Sequence, residues 1–187
     1  MYSDILANLM KEIQTELPSP LVHHIYRVTQ IALFLSKDWK EIKSQDIWIA
    51  CLAHDRFRHL PVLEQLNLKS QWNLSTPNIP DYALHGYLAA HHLVKNYSLN
   101  DPAILKAVQN HTLLGPNPDL FSTLVFISDK LDFLKKHYQG ADKIKKYLPQ
   151  NHWGFVIEVA EIHKNRFDEA HIFLHNAIKT LKENIPC

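Results

Sequence analysis

The stretch Ile47-Trp48-Ile49-Ala50-Cys51-Leu52-Ala53-His54-Asp55-Arg56-Phe57-Arg58 runs from an apolar segment straight into a histidine, an aspartate and two arginines. Its pattern predicts a helix from about Ser44 to Arg58, with Ile47, Cys51, His54, Asp55 and Arg58 on its apolar side. A charged aspartate on a buried face is costly unless it is paired or binds a metal. Consecutive helical residues lie about 100° apart, so His54 and Asp55 can face two metals, or one metal and a bridge.

Working outward, the same kind of residue recurs on other apolar stripes. Upstream, a first helix is expected over Ser3 to Leu17, with Leu6, Leu9, Met10 and Ile13 on one face. Pro18-Ser19-Pro20 breaks it; Ser19 is expected to cap the next helix and Pro20 to take its first position. That helix runs to about Asp38 with His24, Val28, Ala32 and Leu35 inward. Downstream, Pro61 ends the central helix, a short helix follows over Val62 to Leu66, and 67–80 reads as a loop containing Pro77 and Pro80.

A helix over Asp81 to Tyr97 then lines up His85, Leu88, Ala89 and His92. Asp101-Pro102 starts another, ending near His111, with Ile104, Val108 and His111 on one face. Leu113 to Asp119, with Gly115, Pro116 and Pro118, is a connection. The helix after it is expected to reach Tyr138 and to place Phe121, Val125, Asp129 and Asp132 together. Further helices fill the C-terminal part, broken at Gly140 and at Pro149 to His152. No segment reads as a strand, so the fold class is all-α, a bundle-like single domain over residues 1–187.

Composition agrees. The chain has 187 residues, 46% hydrophobic, enough for a substantial core. Only 4 glycines favour helices over turn-rich β structure, while 13 histidines are many. A formal net charge of +1 gives nucleic-acid binding no support. Cys51 and Cys187 form no metal or disulfide framework, and Cys51 reads as a buried thiol. No signal peptide and no membrane span are expected, and the cytoplasm is the default location.

A lone histidine on an apolar face is usually a satisfied core residue. Here His24, His54, His85, His111 and Asp129 occupy inward positions of five different predicted helices, and Asp55 adjoins His54. That convergence points to one metal site in a bundle core.

The order His24, His54-Asp55, His85, His111, Asp129 resembles the motif of the HD-domain phosphohydrolase superfamily, in the versions that hold two metals. His24-x-x-x-Val28, Ile49-Ala50-x-x-Ala53-His54-Asp55, His85-x-x-x-Ala89-Ala90, His111-Thr112 and Leu124 to Asp132 are similar to the bacterial YqeK family. The resemblance spans about residues 18–136, with helices over 141–185 expected to pack on that core. It implies symmetrical hydrolysis of diadenosine tetraphosphate to two ADP, by a hydroxide held between two divalent metals.

The resemblance gives His24, His54, Asp55 and Asp129 to the first metal and His85 and His111 to the second, with Asp55 bridging. Iron is the favoured metal; manganese and zinc also suit imidazole and carboxylate ligands. Asp55, Arg58 and Asp132 are the candidate catalytic residues, and Arg58, Lys130, Thr112 and His59 the candidate substrate contacts. The expected partner is a small-molecule nucleotide, with neither nucleic acid nor membrane, and the protein a monomer or homodimer.

The chain departs from the YqeK pattern in three places. Arg58 stands where lysine is common, Gly115 falls one place late after His111-Thr112, and Asp132-Phe133-Leu134-Lys135 replaces a Glu-Pro-x-Arg segment. These flanks shape the substrate pocket, so two rivals stay open. One is an HD phosphohydrolase acting on a nucleoside monophosphate or a guanosine alarmone; the other is a regulatory module that binds a nucleotide without hydrolysing it.

The remaining histidines and lysines read as bland. His23 points away from His24 and reads as surface or as a support behind the ligands, while His92, on the stripe of His85, reads as core or as such a support. Lys143, Lys145 and Lys146 read as a solvated face; Trp153, Phe155, His163, His171 and His175 as packing or surface.

Overall fold

The structure, a computed structural model, describes residues 2–37, 39–132 and 171–184, with residues 157 and 161. Among the described residues there are eight α-helices, one 3-10 turn and no strand. The helices are α1 Tyr2–Glu16, α2 Ser19–Leu35, α3 Ser44–Ala53, α4 Val62–Gln71, α5 Leu84–Tyr97, α6 Pro102–Asn110, α7 Leu120–Lys130 and α8 His171–Asn184, with the 3-10 turn at Asp81–Ala83. The all-α expectation is met. No helix of the described residues is long and apolar enough to cross a membrane.

Helix α3 is the hub. It packs against α1, α2, α6, α5 and α7, while α6 also lies between α5 and α7. Its burial on every side explains why Ile49, Ala50, Cys51 and Leu52 are four consecutive fully buried residues, a run no surface helix would carry. Around it, Leu9 and Ile13 of α1, Ile25 and Val28 of α2, Leu88 of α5, Ile104 of α6 and Phe126 of α7 complete one core. Ala177 and Ile178 of α8 join it, and the Thr180 hydroxyl donates to the Pro116 carbonyl at 3.0 Å.

Several helix limits differ from the sequence expectation. Helix α3 stops at Ala53 rather than Arg58. Beyond it the chain tightens into 3-10-type turns, with Arg56 N–H donating to Ala53 O, Arg58 to Asp55 O and Leu60 to Phe57 O. Helix α2 starts one residue early: Pro18 takes the cap position and Ser19 makes no capping bond. Helix α4 is longer than expected, ending at Gln71, because Val62 to Gln71 lacks any breaker residue. Helix α7 ends at Lys130, so Asp132 lies past its end and not on its stripe. Asp101 and Asp119 cap α6 and α7, their carboxylates accepting from Ala103 and Ile104 N–H and from Ser122 N–H.

The continuation to Tyr138, the breaks at Gly140 and 149–152, the basic run at Lys143, Lys145 and Lys146, and Trp153, Phe155 and His163 lie outside the described residues.

Candidate metal centre and its cleft

His54 and His111 follow the last residues of α3 and α6, in the C-cap position of each. Helix ends leave carbonyls without intrahelical partners. His54 Nδ1–H donates to Cys51 O at 2.6 Å and His111 Nδ1–H to Val108 O at 2.7 Å. A carbonyl only accepts, so each ring carries its proton on Nδ1 and turns an Nε2 lone pair to the interior. Burial then keeps both rings neutral, driving His54 down to about 3 and lowering His111. Neutral imidazole is the ligand form.

His24, from the middle of α2, is fixed differently. Its Nδ1 lies 2.6 Å from Asp132 Oδ2, so Nδ1–H donates there. Its Nε2 faces Asp129 Oδ1 at 3.1 Å and Asp55 Oδ2 at 3.3 Å. Burial works against a charged ring, but the carboxylates of Asp129, Asp132 and Asp55 outweigh it and pull His24 up to about 10. The cluster demands positive charge at that point.

Asp55 joins two halves of the cluster. Its Oδ2 faces His24 and His54 at 3.3 and 3.5 Å, and its Oδ1 faces His85 and His111 at 3.2 and 3.3 Å. Burial alone would raise this carboxyl; the Arg58 guanidinium and the charged His24 ring hold it well below the carboxylate range. Ligand atoms of His24, His54, Asp55 and Asp129 lie within 4.8 Å of one another, and so do those of Asp55, His85 and His111. All six residues are buried. His24 Nε2, His54 Nε2 and Asp55 Oδ1 have no hydrogen-bond partner among the described residues. His54 Nε2 and the carboxylate oxygens are buried acceptors turned on one another, which is costly, and the positive charge drawn onto His24 answers only part of it. Two divalent cations at these two groups would satisfy them, so the residues fit such a pair.

The second half depends on a close helix crossing. A Cβ on Gly86 would meet Val108 O at 2.9 Å and Gln109 O at 3.0 Å, so glycine lets α5 press onto the end of α6. That contact brings the Nε2 atoms of His85 and His111 to 2.9 Å. The Thr112 hydroxyl sits beside both, at 3.4 and 3.1 Å.

A cleft of about 540 Å³ opens onto the first half. His24, Arg27, Asp132 and Arg58 line it, with His23 and the start of α2. Arg58 is exposed along about half its side chain, yet its Nη1 donates to Asp55 Oδ2 at 2.7 Å.

The HD domain family model matches residues 21–134, more than half of the chain and the whole of this cluster. The chain belongs to the HD domain family. Two curated proteins resemble it, each named "Probable nicotinate-nucleotide adenylyltransferase/Ap4A hydrolase". The Mycoplasma pneumoniae protein is 29% identical over 71% of this chain, and the Mycoplasma genitalium protein 28% identical over 65%. The chain spans only 38% and 35% of their lengths. A Clostridium acetobutylicum crystal structure, described as a "predicted HD superfamily hydrolase involved in NAD metabolism", superposes with a TM-score of 0.83. It covers 96% of this chain and 97% of its own at 18% identity, which supports the fold.

This HD domain brings the six expected ligands together and rearranges the residues around them. Asp132, expected as a catalytic residue, lines the cleft and accepts from His24 Nδ1–H; past the end of α7, its carboxylate is pinned by Arg27. Lys130, expected as a substrate contact, is buried, its ammonium 2.5 Å from Asp129 Oδ2 and 3.3 Å from His111 O. His59 is exposed and is not among the residues lining the cleft. His23, read as turned away, does line it. His92 is a core residue held by Glu12 at 3.0 Å, and His91 stacks on Trp72.

Arg27 and Gly86 were missed. A polar residue three positions after His24 looks like any solvent-facing arginine, and nothing in sequence marks a glycine whose need arises from another helix. Cys51 is the buried thiol expected, with burial raising its pKa.

Proposed function

We propose that this chain is a metal-dependent phosphohydrolase that cleaves dinucleoside polyphosphates of the diadenosine tetraphosphate type symmetrically, into two nucleoside diphosphates. The observation that carries this reading is the shared position of Asp55 between two groups of inward-facing ligand atoms, beside a cleft edged by arginines. The Ap4A hydrolase in the names of the two curated relatives supports the substrate class.

His24, His54, Asp55 and Asp129 would hold one metal, and Asp55, His85 and His111 the other. Iron is the metal we favour, with manganese and zinc as the other ions suited to these donors. Two such ions supply Lewis acidity for phosphoryl oxygens and acidify water at neutral pH.

The chain's own residues do the rest. Asp55 stays ionised because the Arg58 guanidinium beside it holds its carboxyl low. Arg58 sits at the mouth, where a guanidinium can give two parallel N–H donors to a phosphoryl oxygen pair. The Thr112 hydroxyl faces the His85–His111 half and can donate to a phosphate there. In the net reaction water adds to a phosphorus next to the central bridging oxygen, that P–O bond breaks, and the bridging oxygen leaves on the second nucleoside diphosphate.

The test is anaerobic purification, metal quantification, and a nucleotide panel read by product identity. Two ADP from diadenosine tetraphosphate is the expected result. ATP plus AMP, or turnover only of nucleoside monophosphates or guanosine alarmones, overturns the substrate. Binding without turnover in the metal-loaded protein overturns the enzyme in favour of a regulatory module.

A further inference from the structure

The inner-facing rings of this centre are not anchored alike. His54 and His111 lean on backbone carbonyls at the ends of α3 and α6, fixtures of the fold. His24 leans on a side chain, Asp132, which lies outside any helix and is 1% exposed. Asp132 is in turn gripped by both sides of one guanidinium: Arg27 Nε donates to Oδ1 at 2.8 Å and Nη2 to Oδ2 at 2.9 Å. A parallel two-bond fork fixes the carboxylate's plane as well as its place. Arg27 also sits one helical turn after His24, so a single helix carries both the ligand and the clamp on the ligand's support.

We propose that Arg27 is a positioning residue of the first metal group, acting through Asp132 to set the tautomer and the rotation of His24. It touches neither the metals nor the reacting atoms. Its effect is confined to one of the two groups, because His85 and His111 take no support from Asp132 or Arg27. This inference rests on the metal-centre reading above but not on the substrate.

Outer partners of metal-bound histidines typically change metal affinity about 10- to 100-fold when removed. The experiment strips the full chain of metal with chelator and titrates Mn2+ anaerobically, following affinity by calorimetry and the spin state by electron paramagnetic resonance. The wild type is expected to take two ions and to show the signal of a coupled pair. Arg27→Gln should weaken the first group about 10- to 100-fold. Its signal at intermediate Mn2+ should then be that of an isolated ion in the His85–His111 half.

Asp132→Asn, which keeps the size and an acceptor oxygen but loses the charge, should do the same. Arg27→Lys should restore part of the lost affinity, because it returns the charge without the fork. His85→Ala should weaken the opposite group. A general loss of packing would weaken both groups alike and would not respond to lysine. Two ions bound with wild-type affinity by both Arg27→Gln and Asp132→Asn overturns the proposal and leaves the metal centre standing. A wild type that binds no Mn2+ overturns the metal-centre reading and this proposal with it.

Discussion

His54 and His111 are the same device used twice: each closes a helix, donates Nδ1–H to the carbonyl three residues earlier, and presents Nε2 to a different oxygen of Asp55. Their rings meet edge to face, 4.9 Å apart. The rings are therefore held in ligand form by backbone alone, and Asp55 is the member that the two halves share.

Asp55→Ala should consequently lose both ions, whereas His111→Ala should lose chiefly the second. Hydrolysis should vanish in either case while most helicity remains, because α3 is held by its apolar neighbours rather than by Asp55. Metal counting by mass spectrometry, with far-ultraviolet circular dichroism as the folding check, decides this. An Asp55→Ala protein that keeps two ions and full activity would refute the bridge.

Arg58→Ala should keep its metals and lose substrate affinity. A hydrogen bond to a charged group contributes about 1.5–3 kcal/mol, so KM should rise about tenfold or more. Arg58→Lys should recover part of that, since charge returns without the fork. The check is KM and kcat measured beside metal content; an unchanged KM would remove Arg58 from the substrate contacts.

Gly86→Ala tests the helix crossing. The added methyl collides with the backbone oxygens of Val108 and Gln109, so α5 and α6 must separate. A loss of about 1–3 kcal/mol is expected, as for overpacked cores. The affinity of the His85–His111 group should fall with it, while the first group keeps its affinity. Thermal melting of the metal-free protein and Mn2+ titration read the two effects separately.

Acid should destabilise the protein through a polar cluster remote from the cleft. Glu12 of α1 accepts from Tyr97 and His92 of α5 and pairs with Arg56, in the turns after α3. Burial would raise Glu12, but the hydrogen bonds from Tyr97 and His92 lower its pKa below 4.5. Burial lowers His92 below 6.5. In both cases the unfolded chain takes up its proton at higher pH than the folded one, so stability falls as pH falls. The His92 part is lost as pH drops from about 6.5 toward its lower folded value. The Glu12 part is intact above about 4.5 and is lost as pH falls through its own. Melting temperature against pH should decline from near pH 6, and Glu12→Gln should flatten the lower limb. A melting temperature that does not change between pH 7 and pH 4 would sink this account.

The buried histidine and aspartate cluster was legible in the sequence because buried ionisable residues on apolar stripes are conspicuous. Asp129 between Ser128 and Lys130 on α7 is one instance, and His85 beside Leu88 and Ala89 on α5 another. The limits of the helices were less legible. A 3-10 turn continues the direction of an α-helix, so side-chain periodicity does not register that α3 ends at Ala53. Roles set by a second residue were hidden altogether. The grip on Asp132 was one such case, because its partner Arg27 lies 105 positions away. The burial of Lys130 was another, because a lysine's burial depends on the carboxylate waiting for it, here Asp129. Pairings of that kind exist only once the helices are assembled.

Each buried carboxylate of the centre comes with its own cation: Asp55 with Arg58, Asp129 with Lys130, Asp132 with Arg27. Before any metal enters, these three pairs cancel, His54 and His111 are uncharged, and His24, pulled up to about 10, adds one positive charge that it must give up to serve as a metal ligand. Two divalent ions would leave an uncompensated charge of roughly +4 facing the cleft. A chain of four ionised phosphates balances that excess, whereas a nucleoside monophosphate falls well short. If the proposed substrate is right, charge balance alone should favour long polyphosphates independently of any contact with the bases, and ionic strength should weaken binding of a dinucleoside tetraphosphate more steeply than that of a nucleoside monophosphate.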